Sequence, residues 1–458
     1  MAQSPRRPNV IWIFGDQHRA QTLGYRGEPN VRTPNIDNLA RNGMRFDQAV
    51  AGAPWCCPFR GALLTGLYPH QNGVTQTPGR LDPSLPTITA PFRENGYHTA
   101  YIGKWHLAGS NAADHRVPLD GRGGFAHWLG YENNNNQNEV MVYGGGDETP
   151  RRLPGYETDS LCDLFMDHLS DHVGDNGEKD YQPFFAVLSV QPPHSPYVPP
   201  TNPSHGGGGG NPSSVQLRPN VPKVPWIEEK ARLDLDGYCR MVENLDWNVG
   251  RIREHLKTLG VDQDTWIVFF SDHGDMLGSH GQWEKSSPWE ESIRIPFIIG
   301  RLGGQERIRT GITDAVLNHV DIAPTTLGLC GISPPATMVG TNYAHLCFKD
   351  KDPLRAMTPA PETLPESAFL QQIPRKFHPH SVNKAWRGVV TRDGWKYVCQ
   401  PGQDWLLHYL RDDPYEQANL AHDTAFAEAR ERCHALLEEW IESTGDSFPL
   451  PPRVDRPA

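Results

Sequence analysis

Acids, imidazoles and ammonium groups stand directly after short apolar runs in this sequence. "NVIWIF" (9–14) leads into Gly15-Asp16-Gln17, and "HTAYIG" (98–103) into Lys104-Trp105-His106. "FFAVLSV" (184–190) leads into Gln191-Pro192-Pro193-His194, and "WIVFFS" (266–271) into Asp272-His273-Gly274. Taken singly, an aspartate after a strand is a turn or cap residue, and a lone histidine is a satisfied polar group. Four such ends in one chain point instead to a shared site. Asp16, Gln17, Asp272 and His273 offer carboxylate, amide oxygen and imidazole, a set suited to a divalent cation that takes mostly oxygen ligands. Lys104, His106, His194 and Lys285 (in "GQWEKSSP") are cations or proton carriers suited to gripping and protonating an oxyanion. A cation site beside positive groups makes an anionic ester the natural substrate.

The segment "PWCCPFRGALLTG" (54–66) adds two adjacent thiols. Pro58 suits the first turn of a helix, where its missing N–H costs nothing. Cys56 then stands just before a helix N-terminus, whose free N–H groups and dipole favour negative charge and lower a thiol pKa. Adjacent cysteines do not easily meet disulfide geometry with each other, and they lack zinc-ligand spacing. A functional Cys56, with Arg60 one turn on, outweighs the structural readings. Cys162, Cys239, Cys330 and Cys433 lie in helix-like or apolar contexts and read as core.

The four runs are continuously apolar rather than alternating, as in strands covered on both faces. Helical patterns lie between them, in "TPNIDNLARNGM" and "LDLDGYCRMVENLDWNVGRIREHLKTLG". Strands alternating with helices predict an α/β fold with a large, mainly parallel sheet flanked by helices. If the four strands are parallel neighbours, their polar ends converge on one crevice at the carboxyl edge. The Asn-, Gly- and Pro-rich stretches 132–150 and 199–222 read as loops. A Pro-rich boundary near 352–365 divides the chain into a catalytic domain, 1–365, and a smaller α+β domain, 366–458. The latter is expected to be an antiparallel sheet with a closing helix over about 424–443. There are 458 residues, 21% charged and 37% hydrophobic, with a formal net charge of −11 and no long basic run. That balance argues against nucleic acid and an anionic membrane as partners. The first apolar run is too short for a signal h-region, and no stretch approaches a membrane span. The eight scattered cysteines lack a disulfide framework, so a cytoplasmic location is expected.

Cys56-Cys57-Pro58-Phe59-Arg60, followed by "GALLTG" and "YPH", resembles the Cys-x-Pro-x-Arg signature of the type I sulfatases, in the alkaline-phosphatase-like superfamily. "NVIWIFGDQ", "TPNIDNLARNGMRF", "GKWHL", "PPHSPY", "SDHGDMLGSHGQWEK" and "IRIPFII" follow in family order, and "DGWKYV" through "LHYLRDDPYEQANLA" resembles the family's small domain. The resemblance implies that a formylglycine-generating enzyme oxidises Cys56 to formylglycine, whose hydrate attacks the sulfur of a sulfate monoester. One hydroxyl of the hydrate binds the metal; loss of the proton from the other expels sulfate. It implies Asp16, Gln17, Asp272, His273 and modified Cys56 as metal ligands. Arg60 and Lys104 would steady the diol and metal side, His106 would help deprotonate the diol, and His194 and Lys285 would contact the sulfate or protonate the leaving oxygen. The implied substrate is a small anionic ester, of a carbohydrate or another small alcohol; the oligomeric state is left open. Three departures stand out. Asp16-Gln17 replaces the frequent Asp-Asp, Asp272-His273 replaces Asp-Asn, and Phe59 replaces a small residue. The first two also resemble phosphonate monoester hydrolases and choline sulfatases. They make a phosphonate monoester or phosphodiester hydrolase the alternative, and they leave Ca2+ as first choice of metal and Mn2+ as second. A binding protein without catalysis is disfavoured, since every polar group the chemistry needs is present.

Overall fold

The computed structural model describes residues 7–112, 114–174, 181–208, 210–301, 303, 308–350, 352–373 and 381–453. All four apolar runs are strands: β1 (Asn9–Gly15), β3 (His98–Lys104), β7 (Phe184–Val190) and β8 (Thr265–Ser271). With β2 (Gly43–Phe46), β4 (His127–Tyr131), β5 (Met141–Gly144), β6 (Asp147–Arg152), β9 (Phe297–Arg301) and β10 (Gly311–Thr313) they form one ten-stranded sheet. Its order is β10-β2-β9-β8-β1-β7-β3-β4-β5-β6. The central run β8-β1-β7-β3-β4 is parallel, and antiparallel pairs lie towards both edges. Gly15 is level with Ser271 and with Val190, and Ser189 with Gly103, so the four polar ends leave the sheet side by side.

Unbroken apolar runs arise because both faces of the sheet are covered. Val10, Trp12 and Phe14 face one cluster with Phe59, Leu63 and Leu327. Ile11 and Ile13 face another, with Ile36, Leu39, Leu161, Phe165, Leu245 and Val249. The second cover comes from α1 (Pro34–Arg41) and the helices Glu157–Val173 and Pro225–Thr258. Among the described residues, no helix is long and apolar enough to cross a membrane.

The C-terminal segment forms a four-stranded antiparallel sheet, β11 (Ser367–Gln372), β12 (Trp386–Thr391), β13 (Trp395–Gln400) and β14 (Gln403–Tyr409), followed by the helix Ala427–Thr444. One face packs Phe369, Val389, Tyr397 and Leu407 on that helix. The other packs Leu370, Trp386 and Val398 against Val50, Ile293 and Val316 of the larger unit.

One sequence expectation needs correction, and one strand had no signal in the sequence. Residues 132–150 are not simply a loop: β5 and the start of β6 lie there, and Val140, Val142 and Tyr143 are buried. Asn and Gly richness around it masked this short hairpin, whose apolar residues are few. β11, which no apolar run announced, reads "SAFLQQ" and is buried throughout, its glutamines included.

Candidate active site

Helix α2 (Cys56–Thr65) begins at Cys56 itself, and all ten of its residues are buried. Trp55 enters in extended conformation and caps the helix without a side-chain hydrogen bond; the Phe59 N–H returns to the Trp55 carbonyl at 3.0 Å. The thiol therefore emerges on the first helical residue, facing the carboxyl edge of the sheet. Cys56 Sγ donates to Asp16 Oδ1 at 3.5 Å and lies 3.1 Å from His273 Nε2. One ligand atom each from Asp16, Cys56, Asp272 and His273 falls within 4.8 Å of every other. The expectation of a lowered thiol pKa fails: burial, and then the negative charge of Asp16, push Cys56 up to about 12. Desolvation outweighs the helix terminus, so the thiol is held protonated and is a poor thiolate nucleophile.

Two cations order the carboxylates. Lys104 Nζ donates to Asp16 Oδ2 at 2.7 Å; Arg60 Nη2 donates to Asp16 Oδ2 at 3.1 Å and to Asp272 Oδ2 at 3.2 Å. Arg60 Nη1 is locked by the Lys104 carbonyl at 2.8 Å and Ser189 Oγ at 2.9 Å. The close approach of β3 and β7 here needs Gly103 (φ 112°), because a Cβ would meet the Ser189 carbonyl at 1.9 Å. Burial alone would raise Asp16, but the cations Lys104, foremost, and Arg60 hold its carboxyl well below the usual range. Asp272 goes the other way, raised by burial and then by the charge on Asp16.

These residues fit a divalent cation. His273 Nδ1 donates to the Gly274 carbonyl at 3.0 Å, which leaves the Nε2 lone pair facing Asp16 Oδ1 at 3.6 Å and Asp272 Oδ1 at 3.7 Å. Burial keeps that imidazole neutral, as a metal ligand must be. Asp16 Oδ1 and Asp272 Oδ1 turn to the same point, and mutual repulsion between the two carboxylates is what a cation there would relieve.

On the other side, Lys285 Nζ donates to Gln17 Oε1 and contacts His194 Nε2 at 2.6 Å. His194 Nδ1 donates to the Ser195 carbonyl at 2.6 Å, so Nε2 accepts from the ammonium. Burial and Lys285 hold His194 neutral, while burial of Lys285 itself, which would lower its pKa, is outweighed by the carboxylates of Glu284 and Asp16. Gln17 adopts a left-handed backbone (φ 69°) that brings its amide oxygen to Lys285, so here it meets the ammonium at the edge of the ligand cluster. His106 (φ 59°) donates from Nε2 to Asn111 Oδ1 at 3.0 Å, leaving Nδ1 buried without a partner among the described residues. Burial and then Lys104 lower its pKa well below the ordinary value, so it is an available neutral base. With Glu284 (φ 67°) and Ser286 (φ 68°), which flank Lys285, these strained non-glycine residues are typical of a site whose surroundings over-determine its geometry.

The sequence reading missed Asp275 and Glu284. Their carboxylates accept from Gln17 Nε2 at 2.5 and 3.1 Å and so decide which way its amide points. Asp275 is three residues past Asp272 and Glu284 adjoins Lys285; proximity to named residues was their only signal. His70 is structural, bonded to Gln371 and the Thr444 carbonyl, and His280 stacks on Trp289 at 4.2 Å, away from the cluster.

A parallel sheet whose carboxyl edge carries a cation cluster around a buried residue at a helix start, with an ammonium–imidazole pair beside it, defines a hydrolase of anionic esters. The sulfatase family profile matches residues 8–332, and that of the N-sulphoglucosamine sulphohydrolase C-terminal region matches 278–443. The chain belongs to the type I, formylglycine-dependent sulfatases of the alkaline-phosphatase-like superfamily, hydrolases of sulfuric esters. It is 30% identical to an ulvan-active sulfatase of Formosa agariphila over 446 residues, 97% of this chain and 83% of that protein. It is 31% identical to an endo-4-O-sulfatase of Bacteroides thetaiotaomicron over 395 residues, 77% and 75% of the two chains. A solved structure from work on glycosaminoglycan metabolism by Bacteroides thetaiotaomicron superposes with a TM-score of 0.80 at 27% identity, covering 96% of this chain and 97% of that one.

Proposed function

We propose that this sulfatase hydrolyses the sulfate monoester of a carbohydrate, with Cys56 converted to formylglycine and one divalent cation held by Asp16, Gln17, Asp272, His273 and the modified residue. The observation that carries the reading is the position of Cys56 Sγ, within 3.5 Å of both Asp16 and His273. Hydrated formylglycine supplies a nucleophilic hydroxyl and a second hydroxyl whose deprotonation releases sulfate. The cation, Ca2+ by the oxygen-rich ligand set with Mn2+ as runner-up, supplies charge that makes such a hydroxyl more acidic.

The chain's own groups do the rest. Arg60 and Lys104 already offset the charges of Asp16 and Asp272, so the cation leaves the pocket net positive for a singly charged ester. Lys285 Nζ, freed from Gln17, grips an ester oxygen, and the Lys285–His194 pair passes one proton to the departing alcohol oxygen. His106 Nδ1, neutral and without a partner among the described residues, takes the proton from the nucleophile. The similarity to an ulvan-active sulfatase and to a structure from glycosaminoglycan metabolism supports a saccharide as the alcohol.

One feature favours a second reading. Gln17 and His273 bring no charge to the ligand set, and a phosphodiester carries the same single negative charge as a sulfate monoester. Turnover of saccharide sulfates and of a phosphodiester by the same preparation separates the two. Sulfate release should dominate, vanish on chelation and return with Ca2+, or with Mn2+ if that ion is the native one. A dominant phosphodiesterase rate, or an unmodified thiol at Cys56 by peptide mass in protein from the native host, overturns the proposal.

A further inference from the structure

Beside the site, a cavity of about 750 Å³ is lined by Ser195, Tyr197, Trp226, Lys230, Asp234, Trp283 and Glu284. Its inner rim belongs to the machinery already described. Ser195 follows His194, and Ser195 Oγ donates to Glu284 Oε1 at 2.8 Å. Glu284 precedes Lys285 and accepts from Gln17. The cavity therefore adjoins the Lys285–His194 pair through the residue next to each of them in the chain.

The outer wall is aromatic. The Trp226 and Trp283 rings lie with centroids 6.5 Å apart and planes 18° apart. Trp283 is buried and fixed, its Nε1 donating to Asp234 Oδ2 at 2.8 Å, with Lys230 Nζ 4.9 Å from its ring centroid. Trp226 is 63% exposed at the start of the helix Pro225–Thr258. An indole left in water beside a second, oriented indole is a platform for an apolar face. The polar groups around it, Asp234, Glu284 and Ser195, accept hydrogen bonds from hydroxyls. Each cation is already matched: Lys230 pairs with Asp234, and Lys285 with Glu284 at 3.4 Å. The wall therefore has no surplus positive charge for a second anionic group.

We propose that this cavity is the subsite for the alcohol half of the ester, and that it accepts a neutral pyranose. The sugar's C–H face stacks on Trp226, its hydroxyls donate to Asp234 and Glu284, and a ring bearing a second sulfate or a carboxylate is rejected. The proposal rests on the saccharide-sulfatase reading and narrows it from saccharides in general to singly charged ones.

The test compares parent, Trp226→Ala and Trp226→Phe on monosulfated neutral hexoses, on their disulfated counterparts, and on ethyl sulfate, which has no pyranose face to stack on Trp226. Trp226→Ala should lower kcat/KM about ten-fold more on the monosulfated sugars than on ethyl sulfate, through KM, and Trp226→Phe should recover most of that loss. The parent should prefer monosulfated over disulfated sugars by about ten-fold or more. Equal losses on sugar and ethyl sulfate, or a preference for disulfated sugars, overturns the proposal. Saturation-transfer NMR with neutral methyl hexosides reads the subsite without turnover. Contact that disappears in Trp226→Ala supports it even if no sulfate ester is hydrolysed, an outcome that would count against the sulfatase reading alone; no contact with any hexoside overturns it.

Discussion

The Cys57 thiol packs under the large sheet with Phe59, Leu63 and Val74, one residue from a thiol that meets two carboxylates and an imidazole. The helical turn separates them: consecutive residues point about 100° apart around the axis, so one faces core and the other the crevice. Each position predicts a different failure. Cys57→Ser places a hydroxyl in an apolar cluster, costing about 1–3 kcal/mol where no partner is found. Its thermal midpoint should fall while sulfate release per folded molecule stays close to the parent's. Cys56→Ala should leave the midpoint nearly unchanged and reduce sulfate release by at least about a thousand-fold. The reverse pattern would refute the assignment of Cys56 as the modified residue.

Helix α2 is held in place by the turn His319–Asp321. The Gly52 N–H, just before α2, donates to His319 Nδ1 at 2.8 Å, and the His319 ring stacks on Phe59 at 5.5 Å. Asp321 fixes the turn by accepting the Asn318 N–H at 2.7 Å and the Thr341 N–H at 2.7 Å. Burial nevertheless pushes its carboxyl up to about 7, against the pull of those two bonds. A carboxyl that is more basic folded than unfolded binds a proton on folding. Its contribution is present in full below its ordinary value near 4 and is lost as pH rises through about 7. Asp321→Asn removes this proton linkage. From pH 5 to 7 the parent's stability should fall relative to the variant's, by up to about 1.4 kcal/mol per unit, measured as denaturant midpoints. Parallel pH profiles would show that Asp321 stays ionised in the fold.

Across the whole molecule, the C-terminal sheet supports the active-site loop through a buried ion cluster. Lys396 on β13 is fully buried, donates to the Pro288 carbonyl at 2.7 Å, and pairs with Glu416 and, at 3.4 Å, with Glu290. The Trp386 Nε1 on β12 donates to the Ser286 carbonyl at 3.2 Å, so two adjacent strands grip the segment directly after Lys285. Removing one member of a buried pair costs about 3–5 kcal/mol, because the other charge is left without a partner. Lys396→Met should therefore lower both the thermal midpoint and kcat. Adding Glu416→Gln should recover part of the midpoint, since one stranded carboxylate is then removed. If the double variant is no more stable than the single one, the cluster's role is packing rather than charge.

Much of this was legible in the residues. The four continuous apolar runs required strands covered on both faces, because unbroken burial leaves no solvent side, and the polar residues at their ends identified the crevice. The Cys-x-Pro-x-Arg spacing singled out Cys56, since only that cysteine stands two before Pro58 and four before Arg60. The sequence was silent where partners come from distant segments. Burial and the charge of Asp16, which follows β1, raise the Cys56 thiol that its helix start alone would have lowered. The direction of the Gln17 amide depends on Asp275 and Glu284, more than 250 residues away along the chain. The pairing of Trp226 with Trp283 exists only because the long helix lies against the loop that carries Lys285. Local pattern determines which residues can do chemistry, because side-chain period and spacing are properties of the chain. Desolvation and through-space charge set their protonation states and orientations, and only packing brings those about.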